Sequence, residues 1–180
     1  MNANAAIVYH PEGYGTQRQK LMGRHAAGEG FLRGFLKFAD VDRFYAHAES
    51  EKHFHQFAAA VAEFGRGKPA HWLPQSAPQR LEEAGALFFP GPGLGDQAWK
   101  RRGHGGAGYS LTGVTHTICT HRVMDSIGEL LTAPVQAWDA LICTSPAVRQ
   151  GVENVIAGYS TYLAERFGIA PPATPVPSPR

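Results

Sequence analysis

The chain has 180 residues, 43% of them hydrophobic and 18% charged, with a formal net charge of +2. That composition suits one globular domain with a real core and excludes a disordered chain. The scattered Lys and Arg residues argue against a nucleic-acid partner, and no apolar run approaches the ~18 residues that a membrane-spanning helix requires.

The opening MNANAAIVYH has neither a basic start nor a long apolar run, so it does not read as a signal peptide. It leads into the first strand candidate, residues 5–10, and a cytoplasmic protein is expected. A helix follows, marked by Phe31, Leu32, Phe35 and Phe38. Further strand candidates are residues 43–48, 70–74, 86–90, 110–116 and 140–144. Most are continuously apolar, as strands of a parallel sheet covered on both faces are. Between the second and third, Phe54, Phe57, Ala58, Val61 and Phe64 form a helical stripe. Lys100-Arg101-Arg102 reads as a solvated helix end, and Gly103 to Gly108 as a flexible loop into the fifth strand. Ser145-Pro146 reads as the N-cap and first residue of a last helix, which carries Val148, Val152, Val155, Ile156, Tyr159 and Leu163. The segment 171–180 has five prolines in ten residues and reads as an extended linker. Cys119 and Cys143, the only cysteines, are expected as buried free thiols.

This alternation predicts an α/β fold: a doubly wound, mostly parallel Rossmann-like sheet with helices on both faces, in a single domain over residues 1–170. Such sheets bind ligands beyond the carboxyl ends of their strands. The residues that matter are then His10 to Gly15, Glu49 to Ser50, Gly91 to Gly95, His116 to Thr120 and Thr144 to Ser145.

Several chemistries fail on their motifs. Gly13-Tyr14-Gly15-Thr16-Gln17-Arg18 and Gly28-Glu29-Gly30-Phe31-Leu32-Arg33 both put arginine where a dinucleotide fingerprint needs its third glycine. There is no phosphate-binding loop with the Gly-Lys-Ser/Thr ending and no Gly-x-Ser-x-Gly elbow. Nine histidines invite a metal, but His53 and His55 diverge on a helix, His116 and His121 lack a ligand spacing, and no metal is expected. Two features remain. The dense glycines from Gly23 to Gly30 imply close packing against a neighbour or close approach to a ligand. The run Tyr109 to Thr117 turns polar at Thr115 and places His116 on the binding rim.

The segments GRHAAGEGFLRGF, YSLTGVTHT and WDALICTSPAVR, in this order and spacing, resemble the N-terminal half of the family-four retaining glycosyltransferases of GT-B fold, over roughly residues 5 to 170. The resemblance implies an acceptor-side domain. In that family a second Rossmann-like domain holds the nucleotide sugar, and hexosyl transfer proceeds with retention, usually without metal or cofactor. By motif His116 matches the fifth-strand histidine near the transferred sugar. Gly28, Glu29 and Gly30 take the place of the glycine loop that approaches the donor, although here His10 to Lys20 are inserted before it. Ser145 and Arg149 match the recurrent Ser and basic residue at the last strand-to-helix junction. The resemblance further implies that 171–180 leads to a missing C-terminal donor domain, and that the chain alone is inactive. Its partners would be a nucleotide sugar and an acceptor, with peripheral membrane contact if that acceptor is a lipid. Two other readings are open: a non-catalytic carbohydrate- or protein-binding domain, and a nucleotide-dependent oxidoreductase half-domain.

Overall fold

The computed structural model describes residues 4–14 and 23–169. The proline-rich segment 171–180 and most of the stretch between His10 and Lys20 lie outside the described residues. The fold is α/β and Rossmann-like, with a six-stranded, all-parallel sheet in the order β3-β2-β1-β4-β5-β6. The chain divides into two compact units, Met1–Phe88 and Phe89–Arg180.

In the first unit β1 (Ala6–Tyr9) leads through the one-turn α1 (Pro11–Tyr14) to α2 (Gly23–Phe38). Then come β2 (Phe44–Ala48), α3 (Glu51–Phe64), β3 (Ala70–Pro74), a 3₁₀ turn (Pro78–Glu83) and β4 (Ala86–Phe89). β1 pairs in parallel with β2 on one side (Ala6↔Tyr45 to Tyr9↔Ala48) and with β4 on the other (Ala6↔Leu87, Ile7↔Phe88). The winding therefore reverses at β1, and the carboxyl end of that strand, carrying His10, is a topological switch point.

Every residue of β2 is buried, as a continuously apolar strand covered on both faces should be. Phe57 and Val61 bury the α3 stripe, and Ser50 caps the helix by accepting from His53 N–H at 3.3 Å. On α2 the stripe holds through Leu32 and Leu36, which are buried, and through Phe31, stacked on Phe88 with ring centroids 4.1 Å apart. The stripe ends early, because Phe38 in the last turn is 74% exposed. α1 was not expected from the sequence. Its helical turn starts at Pro11, whose fixed φ suits a first helical position, and closes with Gly13 N–H donating to His10 C=O at 2.9 Å.

The second unit contains α4 (Leu94–Arg102), β5 (Ser110–Thr115), α5 (His121–Gly128), a 3₁₀ turn (Glu129–Leu131), β6 (Ala140–Cys143) and α6 (Pro146–Phe167). β5 and β6 pair in parallel from Thr112↔Ala140 to Thr115↔Cys143. β5 is not uniformly covered: Leu111, Gly113 and Thr115 are buried and the residues between them are half-buried. Two sequence expectations fail here. Arg101 does not sit in a solvated helix end but is 1% exposed and paired with Asp139. Cys119 is exposed, because it lies in the loop after β5, whereas Cys143 at the end of β6 is buried; both thiols are free.

Candidate functional site

At the carboxyl edge of the second unit, β5 leaves the core with Thr115 buried and His116 exposed. The imidazole of His116 makes no hydrogen bond or ion pair with the described residues. The loop that carries it is nevertheless well fixed. Thr115 Oγ1 donates to Thr117 C=O at 2.8 Å, Cys119 N–H donates to Thr117 Oγ1 at 3.1 Å, and Thr120 caps α5 by accepting from Val123 N–H. Ile118 plugs onto α6 at Gly151, where a Cβ would collide with its side chain. His116 is thus an exposed imidazole on a loop held by its own hydrogen bonds.

The register brings the other predicted residues of this unit alongside. Because Thr115 faces Cys143 across the β5–β6 pair, the next residues of each strand, His116 and Thr144, emerge side by side. Thr144 Oγ1 ties the two ends together by donating to Thr115 C=O at 3.2 Å. Ser145 accepts from Val148 N–H at 3.2 Å and caps α6. Arg149, one turn on, is half-exposed and holds Glu153 at 2.8 Å. Its side chain is therefore anchored, with room to meet solvent.

The sequence reading missed the role of the Gly91 loop. Gly91 C=O accepts from Val114 N–H at 3.2 Å, which lays the loop along β5. A Cβ at Gly113 would sit 2.7 Å from that carbonyl, so the approach needs glycine there. The available signal was Gly113 itself, an isolated glycine inside a strand.

In the first unit, Gly28, Glu29 and Gly30 lie within the second and third turns of α2, not in a loop. Gly28 packs on α1, where a Cβ would collide with Gly13 C=O. Glu29 faces Arg33 at 4.0 Å. Gly30 has open space around it and lines a groove with Arg33, Gly34, Lys37 and Phe64. At the switch-point end of β1, His53, in the first turn of α3, meets His10 with ring centroids 4.7 Å apart, a pairing the sequence did not suggest. His55 turns away and pairs with Glu51 at 3.6 Å, so the two α3 histidines diverge as their spacing requires. Among the described residues no group of three or more His, Cys, Asp or Glu side chains is placed to hold a metal ion. No protein-family model, curated protein or solved structure matches the chain.

Proposed function

We propose that this chain is the acceptor-side domain of a retaining, metal-independent glycosyltransferase that uses a nucleotide-sugar donor. The observation that carries the reading is His116: an exposed, unengaged imidazole on a fixed loop at the carboxyl end of β5. That is where parallel α/β sheets bind ligands, and the motif resemblance puts a sugar-contacting histidine there. A neutral imidazole both donates and accepts hydrogen bonds, so it can orient a sugar hydroxyl without adding charge. Arg149, paired with Glu153, lies in the first turns of the helix that Ser145 caps.

In this scheme His116 positions the transferred sugar, and the acceptor binds on this domain. The electrostatic stabilisation of the leaving diphosphate comes from a donor-binding domain. The activity is then a property of the two domains together. The test is to titrate the 180-residue chain with a panel of glycans, nucleotide sugars and dinucleotides, and to assay nucleoside diphosphate release. Saturable glycan binding without turnover is the expected result. Tight dinucleotide binding would instead support an oxidoreductase half-domain and overturn the proposal.

A further inference from the structure

A groove of about 760 Å³ lies between the second half of α2 and the end of α3, within the first unit. That volume is in the range of small-molecule sites. Its floor is backbone. Gly30 and Gly34, one turn apart on α2, both line it, and a Cβ at either would meet nothing within 4 Å among the described residues. A glycine inside a helix costs about 1 kcal/mol against alanine. Close packing accounts for Gly28 but for neither of these two. What they do is keep the groove open, since a side chain at either position would stand in it.

The walls carry charge. Arg33 and Lys37 stand on successive turns of α2, Arg33 over the Phe64 ring at 4.9 Å and Lys37 over the Phe38 ring at 5.2 Å. The Lys37 ammonium has no hydrogen bond or ion pair among the described residues. Arg66 comes from the α3 side, in the turn after the helix, with φ at 54°. Glycine or asparagine would adopt that left-handed conformation at less cost, so what arginine adds at the position is its side chain. One nitrogen donates to Lys37 C=O at 3.4 Å, and the rest of the guanidinium has no hydrogen-bond partner among the described residues. Glu63 is the one carboxylate lining the groove, and it too is unpaired among the described residues.

Three cations against one carboxylate select an anion. Cations on two sides of a groove suit a tetrahedral phosphate, whose oxygens point several ways at once. A planar carboxylate presents its two oxygens in one direction and pairs best with a single guanidinium. Glu63 then decides what the phosphate is attached to. A bare anion meets that carboxylate as a like charge, whereas a hydroxyl of a phosphorylated polyol donates to it. We propose that the α2–α3 groove binds a soluble phosphate ester of a polyol, with the phosphate held by Arg33, Lys37 and Arg66 and a hydroxyl on Glu63. The groove adjoins the last turn of α2, which leads into the start of β2. It is therefore not the carboxyl-edge site of the transferase reading, and neither depends on the other.

The test is calorimetric titration of the 180-residue chain, at constant ionic strength, with glycerol 3-phosphate, ribose 5-phosphate, inorganic phosphate and free ribose. Sedimentation with phosphatidylglycerol vesicles runs alongside. At least one ester should bind saturably and more tightly than inorganic phosphate, and free ribose should not bind. Lys37 is exposed, so Lys37→Gln leaves the fold intact. It should weaken the ester by about tenfold, the worth of one charge-assisted hydrogen bond. Glu63→Gln should tighten inorganic phosphate and narrow the advantage of the ester. Gly34→Ala separates binding from stability: Tm should rise, while the ester weakens by about fivefold because a methyl group now stands on the floor. Absence of saturable binding by either ester would overturn the proposal, as would inorganic phosphate that binds as tightly as the esters. Ester binding that survives both Lys37→Gln and Gly34→Ala would place the ligand elsewhere and overturn it too. Vesicle binding that depends on Lys37, with soluble esters ignored, would make this a lipid-facing surface instead.

Discussion

Arg101 shows how far one side chain can depart from what its neighbours in sequence suggest. Lys100-Arg101-Arg102 has the composition of a solvated helix end, and Lys100 and Arg102 are exposed. Helical geometry turns the residue between them inward. Its guanidinium grips Asp139 through both nitrogens at 2.6 and 2.7 Å and donates to Tyr109 C=O at 3.0 Å. Asp139 in turn accepts from Leu111 N–H and Gln136 N–H, each at 2.7 Å. The pair thus fastens α4, the start of β5 and the turn before β6. Composition could not reveal it, because the partners are 38 residues apart. Removing one member leaves the other charge buried and unmatched, at a cost of about 3–5 kcal/mol. We expect Asp139→Asn to lower the unfolding free energy measured by urea titration by that much, while Lys100→Gln changes it by less than ~0.5 kcal/mol. Equal unfolding free energies for the two variants would contradict the buried pairing.

At the scale of elements, the sequence was most legible where one physical rule dominates. All six strands lie within their apolar runs, and Ser145-Pro146 starts α6 as cap and first residue. It was less legible where two effects compete, as for the glycines of α2. Glycine costs a helix about 1 kcal/mol against alanine, so each one raises the question of what offsets it. At Gly28 the answer is steric, since a Cβ would collide with Gly13 C=O of α1. At Gly34 nothing lies within 4 Å of the added Cβ. We therefore expect opposite signs: Gly34→Ala should stabilise by about 0.5–1 kcal/mol. Gly28→Ala should destabilise by about 1–2 kcal/mol, because displacing backbone outweighs the helical gain. Thermal unfolding of both variants decides the matter, and stabilisation by Gly28→Ala would remove the packing explanation.

A second element-level contact joins α5 to α6. Tyr159 Oη donates to Asp125 Oδ1 at 2.8 Å, and His121 Nδ1 lies 2.7 Å from Oδ2. Gly128 makes room for the ring, since a Cβ there would come within 2.6 Å of it. The hydrogen bond from Tyr159, and then His121, hold the Asp125 carboxyl below its ordinary 3.8. A carboxylate depressed on folding stabilises above its unfolded pKa, and that contribution disappears as pH falls through the folded value. Tyr159→Phe should therefore cost most at neutral pH, and its effect on Tm should shrink as pH drops below 3.8. A difference that stays constant from pH 7 to pH 3 would show that the loss is packing alone.

For the molecule as a whole, the doubly wound parallel sheet was legible from strand–helix alternation. The meeting of His10 and His53 was not. It depends on the parallel pairing of β1 with β2, which brings the ends of distant segments together. His116 was legible because its position follows from one strand leaving the core. The decisive whole-molecule prediction is therefore about this residue. A histidine that serves packing should have a partner, and its removal should cost on the order of 1–3 kcal/mol through the group left unsatisfied. His116 is exposed and engages no described residue, so His116→Ala should leave Tm of the chain within about 2 °C of the wild type. If it positions the transferred sugar, the same substitution should slow acceptor-dependent release of nucleoside diphosphate by about a hundredfold in the two-domain transferase. The chain alone should release none, with or without the histidine, because the diphosphate would have no electrostatic partner. A large fall in Tm with activity retained per folded molecule would make His116 structural, and turnover by the isolated chain would place the donor site on this domain.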